Sequence, residues 1–136
     1  MYHITSVRYT HVYKHTIIYK ICCKDTTVSD VYIGHTTNFE KRKFYHMRDT
    51  YTSNTKVYEF IRLHGGWDNW EMIVLQEYSC DNYEQACMFE WFWWKLFGAT
   101  LNVITPGEKL IRRARKQHRD FDTYIHDMEL ACRVMN

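Results

Sequence analysis

The sequence predicts a small α+β domain: a three-stranded antiparallel sheet flanked by helices, with an amphipathic helix at the C-terminal end. Three observations carry this. Residues 16–22 (TIIYKIC) and 31–34 (VYIG) are short, rich in β-branched and aromatic residues, and separated by the polar stretch 24–30, the pattern of a hairpin. Residues 72–75 (MIVL) form another strand-like run between two helical stretches. Three later segments open on a capping residue with an acid three positions on, the signature of a helix start.

The first strand covers residues 16–22 and the second 31–34. Paired as a hairpin, they let Tyr19 and Tyr32 project from the same sheet. A helix follows, with Thr37 as the expected N-cap and Glu40 as its box partner. Arg42 and His46 stand at i and i+4, so both project from one face of that helix. A second helix runs from about Lys56 to His64, with Val57, Phe60, Ile61 and His64 as its apolar stripe; Gly65 and Gly66 end it.

After the third strand, Asp81 and Glu84 open the next helix and Gly98 stops it. Ala86, Glu90, Trp93 and Phe97 share one of its faces. A carboxylate there is costly unless something pairs with it or coordinates it, which singles out Glu90. Glu84 falls on the polar side. Trp91 and Phe92 point away from the stripe, to be exposed or covered by the C-terminal segment. The last element starts at Thr105-Pro106-Gly107-Glu108, with proline at the first helical position. Leu110, Ala114, Phe121, Ile125, Met128 and Cys132 then recur near heptad spacing.

The expected organisation is therefore a domain over residues 1–104 and a helical extension over 105–136. The extension would pack on the same domain or on a partner, a second copy of the chain included. The 136 residues suffice for one domain with its own core, and 46% hydrophobic and 17% aromatic content argues against disorder. A net charge of +2 demands no acidic partner. Its distribution is more informative: Arg112, Arg113, Arg115, Lys116 and Arg119 form a local basic patch that can draw phosphate, or a plain solvated face. The five cysteines form no CxxC pair and read as reduced thiols of an intracellular protein. No signal core and no membrane-length apolar run are present in the sequence.

One ordered set of residues carries chemistry. It runs Ile17-Ile18-Tyr19, then Tyr32-Ile33-Gly34, then Arg42 eight residues beyond Gly34, His46 one helical turn later, Glu90, and Asn102 twelve residues after Glu90. In order and spacing this resembles the GIY-YIG nuclease family over residues 16–104. The string from Tyr32 to Phe39, with Leu101-Asn102, also looks like stand-alone members in large DNA viruses. The first glycine of the family pattern is Ile17 here, and the residue after Gly34 is His35 where some members have lysine. The resemblance implies a DNA endonuclease with catalytic residues Tyr19, Tyr32, Arg42, His46 and Glu90, supported by Gly34, His35 and Asn102. It also implies one divalent cation, Mg²⁺ or Mn²⁺, on Glu90.

The residue chemistry agrees. Phosphodiester hydrolysis needs an in-line water, neutralised non-bridging oxygens and help for the leaving oxygen. Glu90 offers a hard oxygen ligand, and Arg42 can clamp a phosphate with two donors. Tyr19 is a candidate to position or deprotonate the water and His46 is the rival base. Tyr32 would hold a phosphate oxygen or orient its neighbour. Each has a plain alternative as packed strand aromatic, solvated helix face or internal ion pair. Two competing readings remain at this level: a catalytically silent nucleic-acid-binding protein of the same fold, and an interaction module built on the C-terminal helix. Trp67 and Trp70, beside Gly65-Gly66, are either base-stacking residues of a loop or core anchors.

Overall fold

The computed structural model of the chain describes residues 12–108, together with Arg112 and His126. Most of the expected C-terminal helix, with Arg113, Arg115, Lys116, Arg119 and any self-association through it, lies outside the described residues. In chain order the elements are β1 (Thr16–Cys23), β2 (Val31–Thr36), α1 (Phe39–Thr52), α2 (Lys56–Leu63), β3 (Trp70–Tyr78) and α3 (Tyr83–Phe97). The sheet is antiparallel throughout, in the order β2-β1-β3. The expected α+β class and three-stranded sheet are therefore what the chain forms.

The helices cover both faces of the sheet. On one face Tyr19, Ile21 and Cys23 of β1 and Trp70 and Met72 of β3 pack against Val57, Tyr58 and Ile61 of α2, with Phe39 and Met47 of α1 beside them. On the other, Ile18, Ile33 and Tyr78 pack against Ala86, Phe89 and Trp93 of α3. This explains why β1 reads as a nearly unbroken apolar run, since a central strand covered on both faces has no polar side. Ile18, Ile21, Ile33 and Ile61 are fully buried, each stabilising by about 1.5–3 kcal/mol.

A bulge makes this double use of β3 work. Tyr19 pairs with Val74, but Ile18 pairs with Gln76, leaving Leu75 between them. The slip reverses the alternation along β3. Trp70 and Met72 therefore go to one face while Tyr78 goes to the other, stacked on Phe89 with ring centroids 3.9 Å apart.

Two helix starts lie one residue later than the spacing predicted. The N-cap of α1 is Asn38, not Thr37; its Oδ1 accepts from the Lys41 N–H at 3.1 Å. The N-cap of α3 is Asn82, not Asp81; its Oδ1 accepts from Gln85 N–H at 2.9 Å, and Gln85 Oε1 accepts in return from Asp81 N–H at 2.7 Å. In both cases an asparagine in extended backbone sits next to the predicted cap, and caps this good compete over a single residue. Gly98 ends α3 in the left-handed region at φ +58°, as its sequence position implied.

The segment after α3 covers the outer edge of β2. Leu101 N–H donates to Val31 O at 3.2 Å. Asn102 accepts from Ile33 N–H at 3.1 Å and donates to Ile33 O at 2.7 Å, so its amide replaces the missing neighbouring strand. Further on, Gly107 lies close to the Cys87 carbonyl and Trp91. Trp91 is buried; of the two outcomes foreseen for it, the C-terminal segment covers it.

Candidate active site

β1 brings Tyr19 to the face shared with α1 and α2, directly across from Gly34 on β2. A Cβ on Gly34 would run into the Tyr19 hydroxyl and lie 2.6 Å from its Cζ. The glycine is thus a space requirement set by the phenol across the strand, not a matter of backbone freedom. Tyr32 stands two residues earlier on the same face, its ring centroid 6.4 Å from that of Tyr19. Ile17, in place of the family's first glycine, sits half-buried in the ladder opposite Thr36 and disturbs no pairing.

α1 presents Arg42 and His46 to this face. Arg42 Nε donates to Tyr19 Oη at 3.4 Å, and Tyr19 Oη lies 2.7 Å from His46 Nε2. The other ring nitrogen, Nδ1, lies 2.9 Å from the hydroxyl of Tyr58 on α2. Tyr19 and His46 are both fully buried. The result is a hydrogen-bonded chain from guanidinium to phenol to imidazole to phenol.

Burial sets the titration of this chain. It pushes His46 down to about 4, with the Arg42 charge adding to the effect, so the imidazole is neutral at physiological pH. Burial pushes Tyr19 well above the usual tyrosine range, the neighbouring Tyr32 adding to the rise while Arg42 works against it. It also raises Tyr32 and lifts Tyr58 to about 12.

α3 supplies Glu90 from the opposite layer. A cleft of about 510 Å³ is lined by Tyr32, Arg42 and Tyr58 on one side, Tyr83, Cys87 and Glu90 on the other, and Asn102 and Gly107 at its end. Glu90 Oε1 lies 3.2 Å from His35 Nδ1, both side chains about 15% exposed (14% for the histidine, 15% for the glutamate). The charge on the apolar face of α3 is thus met by a histidine from the neighbouring edge strand. Asn102 acts on backbone, holding the strand that carries Tyr32, Gly34 and His35.

The structure brings Tyr19, Tyr32, Arg42 and His46 into one cluster; Tyr32 and Arg42 line the cleft together with Glu90 and Asn102, and Tyr19 and His46 are buried behind them. Arg112 stands apart from this cleft, paired with Glu108 at 2.6 Å. Trp67 and Trp70 are core residues, 8% and 3% exposed, so of the two roles weighed for them they take that of core anchors. Sequence reasoning missed Tyr58, which lay off the stripe chosen for α2, and Asp49, which lines the cleft while bonded to Arg48. The signal for Tyr58 was weak: a polar-tipped aromatic beside Val57 on an otherwise apolar face.

The donor set can be weighed against a divalent cation. Among the described residues no group of three or more His, Cys, Asp or Glu side chains is gathered as a metal cage. One carboxylate beside a phosphate-sized cleft with a guanidinium suits Mg²⁺ or Mn²⁺, which bind through one or two carboxylates, waters and substrate phosphate. With Oε1 on His35, Glu90 retains Oε2 for this purpose. The residues fit such an ion.

A buried phenol–imidazole chain, a guanidinium and a carboxylate around one cleft are the equipment of a hydrolase acting on anionic esters. Residues 15–102 match the GIY-YIG catalytic domain, and the chain belongs to that family. It is a GIY-YIG-type endonuclease, and the domain implies DNA as substrate. Enzymes of this family generally depend on a divalent metal. Neither the curated proteins nor the solved structures contain a match to the chain. Among the described residues, no helix is long and apolar enough to cross a membrane.

Proposed function

We propose that this endonuclease hydrolyses DNA phosphodiester bonds with a single Mg²⁺ or Mn²⁺ ion held by Glu90, and that it works inside the cell. The observation that carries this reading is the 2.7 Å bond between Tyr19 and His46 beside Arg42, buried behind a cleft that Arg42 and Glu90 both line. A bound divalent cation would supply charge neutralisation on the scissile phosphate and on the departing oxygen. Arg42 lines the cleft, with its Nε donating to Tyr19, and its guanidinium would clamp the non-bridging oxygens. Tyr32, lining the cleft beside it, orients the phosphate.

Proton transfer follows from the chain. Tyr19 is protonated at neutral pH, so it cannot take a proton unless it gives one up. His46 Nε2 accepts it: the attacking water loses a proton to Tyr19 Oη as the Tyr19 proton moves to Nε2. The imidazolium formed donates from both nitrogens, to Tyr19 and Tyr58. Tyr19 and His46 thus act as one base in two parts. His35 holds Glu90 in place, and Asn102 fixes the strand beneath.

A plasmid-nicking assay with Mg²⁺ or Mn²⁺ tests the reading. The wild type should convert supercoiled to open-circular DNA, and Glu90→Ala and Arg42→Ala should each cut at least ~10²–10³-fold more slowly. Cutting by either variant at the wild-type rate would overturn the assignment. Salt-dependent binding with no cutting under any metal would instead support the silent binding protein.

A further inference from the structure

The outer face of α1 carries a feature the catalytic cluster does not use. Lys41, Phe44, Tyr45, Arg48 and Tyr51 follow one another at helical spacing on the side opposite the buried His46 and Thr50. Phe44 is 54% and Tyr51 68% exposed, unusual for aromatic rings on a helix whose inner face already has a core. Tyr45 is flanked by two cations, Lys41 Nζ at 5.9 Å and the Arg48 guanidinium at 4.8 Å from its ring, and it meets Phe44 edge-on at 6.0 Å. Arg48 also reaches Asp49 at 3.2 Å, which offsets part of its charge; among the described residues neither Lys41 nor the exposed Lys43 forms an ion pair with an acid.

This face is continuous with the cleft. Arg42 lines the catalytic cleft and also a second groove with Lys41 and Tyr45, floored by Thr36, Thr37 and Asn38. A phosphate held at Arg42 therefore has a neighbouring channel that leads onto the stripe. Lysine and arginine suit the phosphates of any DNA. Exposed rings do not: a paired base keeps its faces inside the duplex, whereas an unpaired base can stack on Phe or Tyr. Interleaving of cations with rings also disfavours a second copy of the same face as occupant, because like charges would meet.

We propose that the outer face of α1 binds an unpaired DNA strand, with bases stacked on Phe44 and Tyr51, so that the enzyme prefers splayed or flap-bearing DNA over intact duplex. The offset of seven positions from Phe44 to Tyr51 spans ~10.5 Å of helix axis, about three stacking steps of ~3.4 Å, so the two rings take different bases of one strand. This rests on the endonuclease reading for the position of the cut, but the strand-binding claim can be tested apart from it.

The test is fluorescence anisotropy of the full chain in EDTA with three labelled DNAs: a single strand, a duplex, and a duplex with a splayed end. The wild type should bind the single-stranded and splayed DNAs more tightly than the duplex. Phe44→Ala and Tyr51→Ala should each weaken that binding roughly five- to a hundredfold and leave duplex binding unchanged. Phe44→Trp should restore it. Leu63→Ala, which trims an exposed side chain on α2, should change neither. Equal loss on duplex and single strand, or no loss, overturns the proposal. A concentration-dependent change in mass on losing Phe44 and Tyr51 would assign the face to a second copy and overturn it too. Cutting of duplex plasmid with no effect of these variants on splayed DNA would sink this inference and leave the endonuclease reading standing. Ring-dependent strand binding without cutting would do the reverse.

Discussion

The two faces of the sheet each bury a tyrosine, and the two tyrosines are treated differently. Tyr78 lies against Phe89 in a parallel stack and accepts from Trp93 Nε1 at 2.8 Å, among apolar neighbours of α3. Tyr19 is equally buried, but its hydroxyl is shared between a guanidinium and an imidazole, and a second hydroxyl backs that imidazole. Burial and a satisfied hydroxyl are common to both. What Tyr19 has is a guanidinium and an imidazole on its hydroxyl, with a cleft beside them. Residue type and burial alone therefore do not distinguish the two tyrosines; the partners of their hydroxyls do.

The largest contrast should come from removing one hydroxyl on each face. Tyr19→Phe should slow plasmid nicking by ~10²–10⁴-fold, while Tyr78→Phe should cut near the wild-type rate and lose about 1 kcal/mol of stability in urea unfolding. Comparable nicking by the two variants would abolish the distinction drawn here.

A second contrast is in pH. With His46 lowered to about 4 in the fold and near 6.5 unfolded, the unfolded chain binds a proton that the native one refuses between those values. Stability should be full above pH 6.5 and decline by about 3 kcal/mol as pH falls to 4. His46→Gln should remove that part of the decline in denaturant titrations at a series of pH values. An unchanged slope would place the imidazole in contact with solvent.

Gly34→Ala probes the space over the strand. The new methyl meets Tyr19, so the ring must shift and the cost should be about 1–3 kcal/mol, with nicking reduced alongside. Calorimetry and nicking on one preparation would check both, and a variant as stable as wild type would show that the phenol has room to move. The smallest effect is expected from Tyr58→Phe, which removes the back-side bond to His46 at a cost of about 0.5–1.5 kcal/mol and should displace the acid limb of the pH–rate profile. An unmoved profile would make Tyr58 a packing residue only.

Much of this was legible along the chain. The strands announced themselves by composition, and the pairing of Arg42 with His46 on one face followed from helical period alone. The isolation of Glu90 on an apolar face was also visible, though not that His35 would meet it, because that contact crosses from β2 to α3. The two caps were misplaced by one residue because Thr37-Asn38 and Asp81-Asn82 each offer two good capping side chains, and only local backbone geometry selects between them.

The sequence by itself determined the kinds of element, their order, and which side chains share a helix face, because those follow from periods of two and 3.6 residues acting over short range. Tertiary structure decided the rest. The slip between Ile18 and Tyr19 sends β3 to two cores, Tyr58 reaches His46 from another helix, and Asn102 closes an edge 69 residues away from Ile33. None of these has a local period to announce it. Each depends on where distant segments meet once both faces of the sheet are covered.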